Sequence, residues 1–392
     1  MKKLSVVLGL LIVMGLSGIA MGQEDGDFEP WIGLRGSYQA TFETDLFGVG
    51  SDAEAEAYFR VPRARVGVEG SFAKDLYFQV EFDGRNTSRG RGVDLRVAFV
   101  RWDFLKSDSM LMQLEAGAIT TAFARPLSGT EYAFINYDIC TVLDAYQYGL
   151  QYRGAFADKF IELILSANNG EGVGSLNIGS GLQYVGRLEI TPLGGDIKDI
   201  TDGNAGKSFD NTLSKPMLSI GLAGAFDNKA RTDDFGYTVE YFSSYHALAD
   251  LTFKVAGLSF FAQGVYNMYN ILEDGTYWGG ADNNAKESYG GFAQIGFNLK
   301  NVLGIELEPM GKFEWWNDVI DEGYGADDYN RMQFAAGLTY YVKGHDLKLN
   351  IEFRHVLNDD KSYAVKPPWE NYLGFRMTHK FATAKDTAPK PR

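Results

Sequence analysis

The 392-residue sequence predicts an all-β protein, a transmembrane antiparallel β-barrel of about 16 strands with an inward-folded third outer loop. Three observations predict it. Segments of about ten residues, the length a tilted strand needs to cross the hydrocarbon of a bilayer, alternate apolar and polar side chains with the two-residue period of a half-buried strand. Long polar connections alternate with brief turns along the chain. The composition is rich in glycine (46) and aromatics (14%) with 22% charged residues, and beyond residue 22 no apolar run is long enough for a membrane helix.

The segments fall at 31–43, 57–71, 75–84, 94–105, 110–118, 146–154, 158–167, 181–192, 216–226, 241–255, 257–270, 288–299, 304–316, 331–343, 346–357 and 371–381. The third sets Leu76, Phe78, Val80 and Phe82 against Tyr77, Gln79, Glu81 and Asp83. The sixth sets Tyr146, Tyr148, Leu150 and Tyr152 against Gln147, Gly149, Gln151 and Arg153. The eighth alternates Leu182, Tyr184, Leu188 and Ile190 with Gln183, Arg187, Glu189 and Thr191. The fourteenth alternates Met332, Phe334, Leu338 and Tyr340 with Arg331, Gln333, Gly337 and Thr339, and the fifteenth Leu347, Leu349, Ile351 and Phe353 with Lys348, Asn350, Glu352 and Arg354. The wet face reads as fully polar and charged. A sandwich core could not hold such a face, because buried charge without partners is costly, whereas a water-filled lumen can.

Connections after odd segments are long and polar (GSDAEA, RNTSRGRG, NNGEGVGSLNIG, EDGTYWGGADNNAKE, DVIDEGYGADDYN), and those after even segments are short (AKD, AFAD, AG, KGHD). Residues 193–215, after the eighth, are the exception. Long loops on one side, short turns with both termini on the other and an even strand number are the outer-membrane arrangement. Trp31, Trp102, Phe104, Phe313, Trp315, Tyr340 and Phe353 sit near segment ends, as an interfacial aromatic girdle requires.

Targeting agrees. Lys2 and Lys3 precede an apolar run from Leu4 to Ala20, and Ala20-Met21-Gly22 is a small-x-small cleavage signature, so residues 1–22 read as a secretory signal, 23–381 as the barrel and 382–392 as a short disordered tail. Cys140 is the only cysteine, which leaves no intramolecular disulfide. Without Lys2 and Lys3 the 37 basic residues become 35 against 51 acidic ones, a mature charge of about −16 that argues against a nucleic-acid partner.

The closing stretch YLGFRMTHKF, from Tyr372 to Phe381, alternates Leu373, Phe375, Met377 and Phe381 with polar residues. It resembles the last strand of bacterial outer-membrane barrels, whose closing aromatic is an assembly signal; here ATAKDTAPKPR follows it. Thr120 to Ala145, TTAFARPLSGTEYAFINYDICTVLDA, is the third outer loop, long and more apolar than its siblings. The chain is similar over its mature length to sixteen-stranded bacterial porins, whose third loop folds inward to form a constriction. The stretches VPRARVGVEGSFAKDLYFQVEF (Val61 to Phe82) and GAITTAFARPLSG look more specifically like the phosphate-selective porin O and P family. The resemblance implies a water-filled channel in the bacterial outer membrane for passive diffusion of ions and small hydrophilic solutes, with a substrate-selective anion or phosphate channel as the alternative. Positions that are basic or proline around the family's inward loop are Thr120 and Ala122 here, so phosphate selectivity is not carried over.

Inward parity, assigned strand by strand, places Arg331, Lys348, Arg354, Arg376, Lys380, Arg35, Arg63 and Arg65 on strands 14 to 16, 1 and 2, offset by Glu352 and Glu69. Strands 3 to 7 project Glu81, Asp83, Asp103, Glu115 and Glu162, tempered by Arg101 and Arg153, and the loop adds Glu131, Asp138 and Asp144 against Arg125. The expected pore-lining and constriction set is therefore Arg35, Arg63, Arg65, Arg354, Arg376, Arg125, Glu131, Asp138, Glu81 and Glu115. A basic wall facing an acidic loop sets a transverse field; local pairing in a wide lumen is the alternative. Outward residues are small on strands 2 and 5 (Ala64, Val66, Val68; Met112, Leu114, Ala116) and bulky on strands 12 to 15 (Phe297, Phe313, Trp315, Phe334, Tyr340, Phe353), which predicts a homotrimer centred on strands 1 to 5 and 16, with outer-membrane lipid around the rest.

Nothing points to chemistry. His246, His345, His355 and His379 lie on separate segments without metal spacing, so neither a metal nor a cofactor is expected. Gly170, Gly172 and Gly174 lack the strand-to-helix setting of a phosphate cradle. Asp318, Asp321, Glu322, Asp327 and Asp328 read as a solvated loop before a divalent-cation site. An outer-membrane enzyme needs a Ser/His/acid set and the sequence offers scattered singles such as His379. A surface adhesin is the third class, distinguished by a lumen that does not conduct.

Overall fold

A computed structural model describes residues 29–45, 57–84, 86–87, 90–91, 93–107, 109–124, 146–158, 160–170, 181–193, 216–232, 239–272, 285–318, 329–343, 347–359 and 369–382. The expected signal segment, and the tail beyond Ala382, lie outside them, as does the connection 194–215.

The strands are β1 (Trp31–Asp45), β2 (Ala57–Ala73), β3 (Leu76–Asp83), β4 (Asp94–Lys106), β5 (Leu111–Thr120), β6 (Tyr146–Phe156), β7 (Ile161–Asn168) and β8 (Gln183–Ile190), then β9 (Met217–Thr232), β10 (Val239–Val255), β11 (Leu258–Leu272), β12 (Ala285–Phe297), β13 (Leu307–Asp318), β14 (Tyr329–Lys343), β15 (Leu347–Asp359) and β16 (Trp369–Ala382). Each pairs antiparallel with its sequence neighbour, and β1 pairs with β16 from Arg35/Ala382 to Asp45/Tyr372, so the sheet closes on itself. Closure leaves no edge, the condition for crossing hydrocarbon with strands. A two-residue ladder, Asn86–Thr87 with Gly90–Arg91, lies in the connection after β3.

Alternation along each strand sorts the two faces. Ile32, Leu34 and Tyr38 of β1 are exposed while Gln39, Thr41 and Glu43 are buried. On β13, Phe313 is exposed while Lys312 and Glu314 are buried. Exposed apolar side chains therefore form the outer face and polar ones line the interior, the inverse of a soluble sandwich. A bulge between Gln39 and Thr41 shifts the β1–β2 register, so Thr41 opposes Arg60 where simple alternation would have placed Val61.

Several expected ends move. β12 stops at Phe297 and β13 starts at Leu307, because a helical turn, α1 (Lys300–Leu303), intervenes. The Lys300 N–H donates to Asn298 Oδ1 (2.9 Å), and Gly304 closes the turn in the left-handed region at φ 68°. β8 is shorter than the expected 181–192. β9 runs on through Asn228, Lys229 and Arg231 to pair Thr232 with Val239, since a hairpin ladder can continue above the apolar belt on polar residues. Trp31, expected in the outer girdle, shares the inward row of Ser71 and Tyr77, its ring 6.3 Å from that of Tyr77. Trp102 and Phe104 do lie outward, and their rings are 5.7 Å apart.

Gly117 on β5 sits at φ 127°, and an added Cβ would lie 2.2 Å from Ala98 O. Gly117→Ala is expected to destabilise the barrel by roughly 1–3 kcal/mol, read as a lower temperature for loss of the heat-resistant folded band on electrophoresis.

Candidate functional site

The lumen has two unlike walls. Around β1 to β5 it is charged and tightly paired. Arg35 Nη1 lies 2.9 Å from Glu69 Oε2, and Arg35 Nε lies 3.4 Å from Glu81 Oε2. Arg65 Nε lies 2.9 Å from Asp83 Oδ2, Arg96 Nη1 lies 3.5 Å from Glu81 Oε1, and Arg101 Nη1 lies 3.4 Å from Glu115 Oε1. Aromatic faces back several of these guanidiniums: Arg96 stands 4.2 Å over the Tyr146 ring and Arg101 stands 4.6 Å over Tyr77. The pattern continues around the ring, with Arg153 on Glu162, Lys312 Nζ 2.7 Å from Glu314 Oε1, and Arg354 Nη2 3.3 Å from Glu43 Oε1.

The second wall, β8 to β12, carries an apolar patch among its polar residues. Val185, Ala225, Leu248, Phe261, Val265 and Phe292 all occupy inward register positions and are buried with Phe123 in one cluster, against which Ala223, Ala124 and Trp316 pack. This corrects the expectation of a fully polar wet face. An apolar patch is stable inside a wet lumen because other protein covers it, and part of that cover is the start of the third outer loop. Thr121 to Ala124 turn inward from β5, and Phe123 is only 3% exposed. Its ring meets His246 edge-on at 6.0 Å, and His246 is held by Asn267 and Ser244, each at 2.9 Å.

A buried ionic knot fixes the backbone there. Arg187 Nη1 donates to Phe123 O at 3.3 Å, while Nη2 donates to Asp250 Oδ2 at 2.6 Å and to Glu189 Oε2 at 3.2 Å. Gly221, opposite Glu189 in register, makes room for the knot; a Cβ would stand 2.2 Å from Arg187 Nη2 and 2.7 Å from either Asp250 carboxylate oxygen. The sequence put Arg187 and Glu189 on the wet face of the eighth segment without a site role, and did not single out Phe123, Asp250 or Gly221. The available signal was the inward parity of β8 to β11, where apolar letters fall on the polar phase.

The expected site residues distribute as follows. Arg35, Arg65, Arg354, Arg376, Glu81 and Glu115 all lie inward. Arg63 is on β2 at the register position of Gln39. Arg125, Glu131 and Asp138, with the rest of the loop from 125 to 145, lie outside the described residues. Glu81 gathers Arg35, Arg65 and Arg96 into one cluster, while Arg354 and Arg376 belong to the β15–β16 side. Arg35 is the most open of these cations, its side chain 39% exposed against 10% for Arg65 and 5% for Arg354. Among the described residues no three His, Cys, Asp or Glu side chains converge as a metal site.

Comparisons with known proteins fit this geometry. The profile described as "Phosphate-selective porin O and P" matches residues 32–381. No curated protein matches the sequence. Three solved structures share the fold. The anion-selective porin from Comamonas acidovorans is 9% identical, with 90% of this chain and 100% of that one covered at a TM-score of 0.59. Salmonella typhi OmpF, in complex with daunomycin, is 14% identical, with 89% and 97% covered at 0.58. OmpT of Vibrio cholerae, in a trimer form, is 10% identical, with 90% and 100% covered at 0.56. At these identities the likeness is one of fold.

Arg187→Ala strands Asp250 and Glu189 in the knot and is expected to cost about 3–5 kcal/mol, measured by urea unfolding in detergent. Adding Asp250→Ala is expected to cost less than the sum of the two single changes, because the carboxylate left behind by the first is then gone.

Proposed function

We infer function from a family premise: this chain belongs to the phosphate-selective porin O and P family, whose profile spans residues 32–381, and it forms a channel for ions and small solutes in the bacterial outer membrane. The observation that carries the reading is the inverted barrel, apolar outside and ionic inside. Passage is by diffusion, and the chain does no covalent chemistry.

The pore-lining set comprises Arg35, Arg63, Arg65, Arg354, Arg376, Glu81 and Glu115, with Arg125, Glu131 and Asp138 facing them from the inward loop. Selectivity is weak, since pairs 2.9–4.0 Å apart on neighbouring strands cancel most of the charge. Arg35, more open than Arg65 and Arg354, has more influence on passing ions than either. The outer face contacts lipid, and three copies associate through β1 to β5 and β16; the trimeric OmpT form supports that state. Residues 1–22 are an export signal and the residues after Ala382, which is itself in β16 and pairs with Arg35, a periplasmic tail.

The test is reconstitution of the mature protein in a planar bilayer. Step-wise ohmic conductance is expected, and a non-conducting barrel would leave the adhesin reading. Arg35→Gln with Arg63→Gln is expected to move the reversal potential in a salt gradient toward cation preference, most at low ionic strength because screening shortens the field to ~8 Å at physiological salt. An unchanged potential would remove these arginines from the conduction path.

A further inference from the structure

The turn between β12 and β13 differs from its neighbours. On the short-connection side, Ala73-Lys74-Asp75 and Ala256-Gly257 carry no apolar side chain larger than alanine, and the β6–β7 turn exposes a single one, Phe160 at 39%. In the β12–β13 turn, Val302, Leu303 and Ile305 are 63%, 59% and 46% exposed. The Gly304 cap ends α1 after one turn, leaving Val302 and Leu303 projecting together at its tip. The charges at the base are already matched, with Lys300 Nζ 2.6 Å from Glu306 Oε1.

These side chains continue the outer apolar face. Tyr341 N–H donates to Glu306 O at 2.9 Å, which carries the β13–β14 ladder one step past the Leu307/Tyr340 pair. That step brings Ile305 beside Val342, itself exposed, and above them the outward row runs on through Tyr340, Leu338, Phe313 and Ile295. In the sixteen-strand ring, β12 and β13 lie across from β4 and β5, outside the subunit face proposed above on β1 to β5 and β16. A second copy therefore does not cover the turn. Apolar side chains contiguous with a lipid-facing belt, flanked by a neutral ion pair, match the acyl–headgroup boundary of a phospholipid leaflet.

We propose that the β12–β13 turn is a membrane foot, with Val302, Leu303 and Ile305 inserted into the inner, phospholipid leaflet of the outer membrane and Lys300–Glu306 held at headgroup level. The inference rests on reading the outer belt as lipid-facing, and its test separates the two. Leu303→Cys, Phe313→Cys and Lys74→Cys, each with Cys140→Ser, are labelled with a nitrobenzoxadiazole dye. The full mature protein is then placed in phosphatidylethanolamine/phosphatidylglycerol vesicles containing lipid spin-labelled at a shallow or a deep acyl position. Dye at 303 and 313 is expected to emit blue-shifted and to be quenched at least twofold more than dye at 74, with 303 quenched more by the shallow label. Val302→Cys repeats the reading should Leu303→Cys fail to assemble. Dye at 303 that is water-like, or shielded without lipid quenching as a protein partner or second copy would make it, overturns the foot while 313 upholds the belt. Water-like dye at 313 overturns both.

Discussion

Everything in this molecule depends on closure of the backbone ladder between β1 and β16. A peptide N–H or C=O facing hydrocarbon without a partner costs several kcal/mol, so a sheet can cross a bilayer only when its first and last strands meet. Here they meet over an unbroken register from Arg35/Ala382 to Asp45/Tyr372. That explains why the closing strand keeps its strict alternation of Leu373, Phe375 and Met377 outward with Arg376 and Thr378 inward. A one-residue slip would turn every one of these side chains to the wrong solvent.

Closure also dictates how charge is handled. A ring of inward residues places cations and carboxylates on adjacent strands at hydrogen-bonding separation, and at that range local attraction outweighs anything acting across the lumen. The arginines of β1 and β2 thus interlock with the carboxylates of β2 and β3 around Glu81. Deep pairs such as Lys312–Glu314 are nearly inaccessible, whereas the Arg35 side chain stays partly in reach of water. On the other side of the ring the Arg187 knot holds a backbone carbonyl of the loop root, Phe123 O.

Strand number and the inward phase of Arg35, Arg65, Arg354, Arg376, Glu81 and Glu115 were legible in the sequence, because alternation in a barrel is dictated by two different solvents and leaves a period of two in the letters. Three things were not. The Gln39/Thr41 bulge changes the opposed residue to Arg60, and its one local sign, Pro62 inside β2, does not by itself fix where the register shifts. α1 takes the four residues between the expected twelfth and thirteenth segments and draws back the ends of both strands. The apolar wall of Val185, Ala225, Leu248, Val265 and Phe292 was missed because such residues resemble lipid-facing ones until their phase is tracked through each strand pair. Phe123 shows why they are there, since an apolar wall needs an apolar lid.

The central claim is that one strand face meets water and the other does not. Cysteine substitution along β1 tests it most directly, in a Cys140→Ser background with an impermeant charged thiol reagent applied during conductance recording. Arg35→Cys and Ser37→Cys are predicted to react and change the current, and Leu34→Cys and Tyr38→Cys to remain silent. Equal reaction on both phases, or reaction at 34 and 38 alone, would contradict a wet interior enclosed by an apolar outer face.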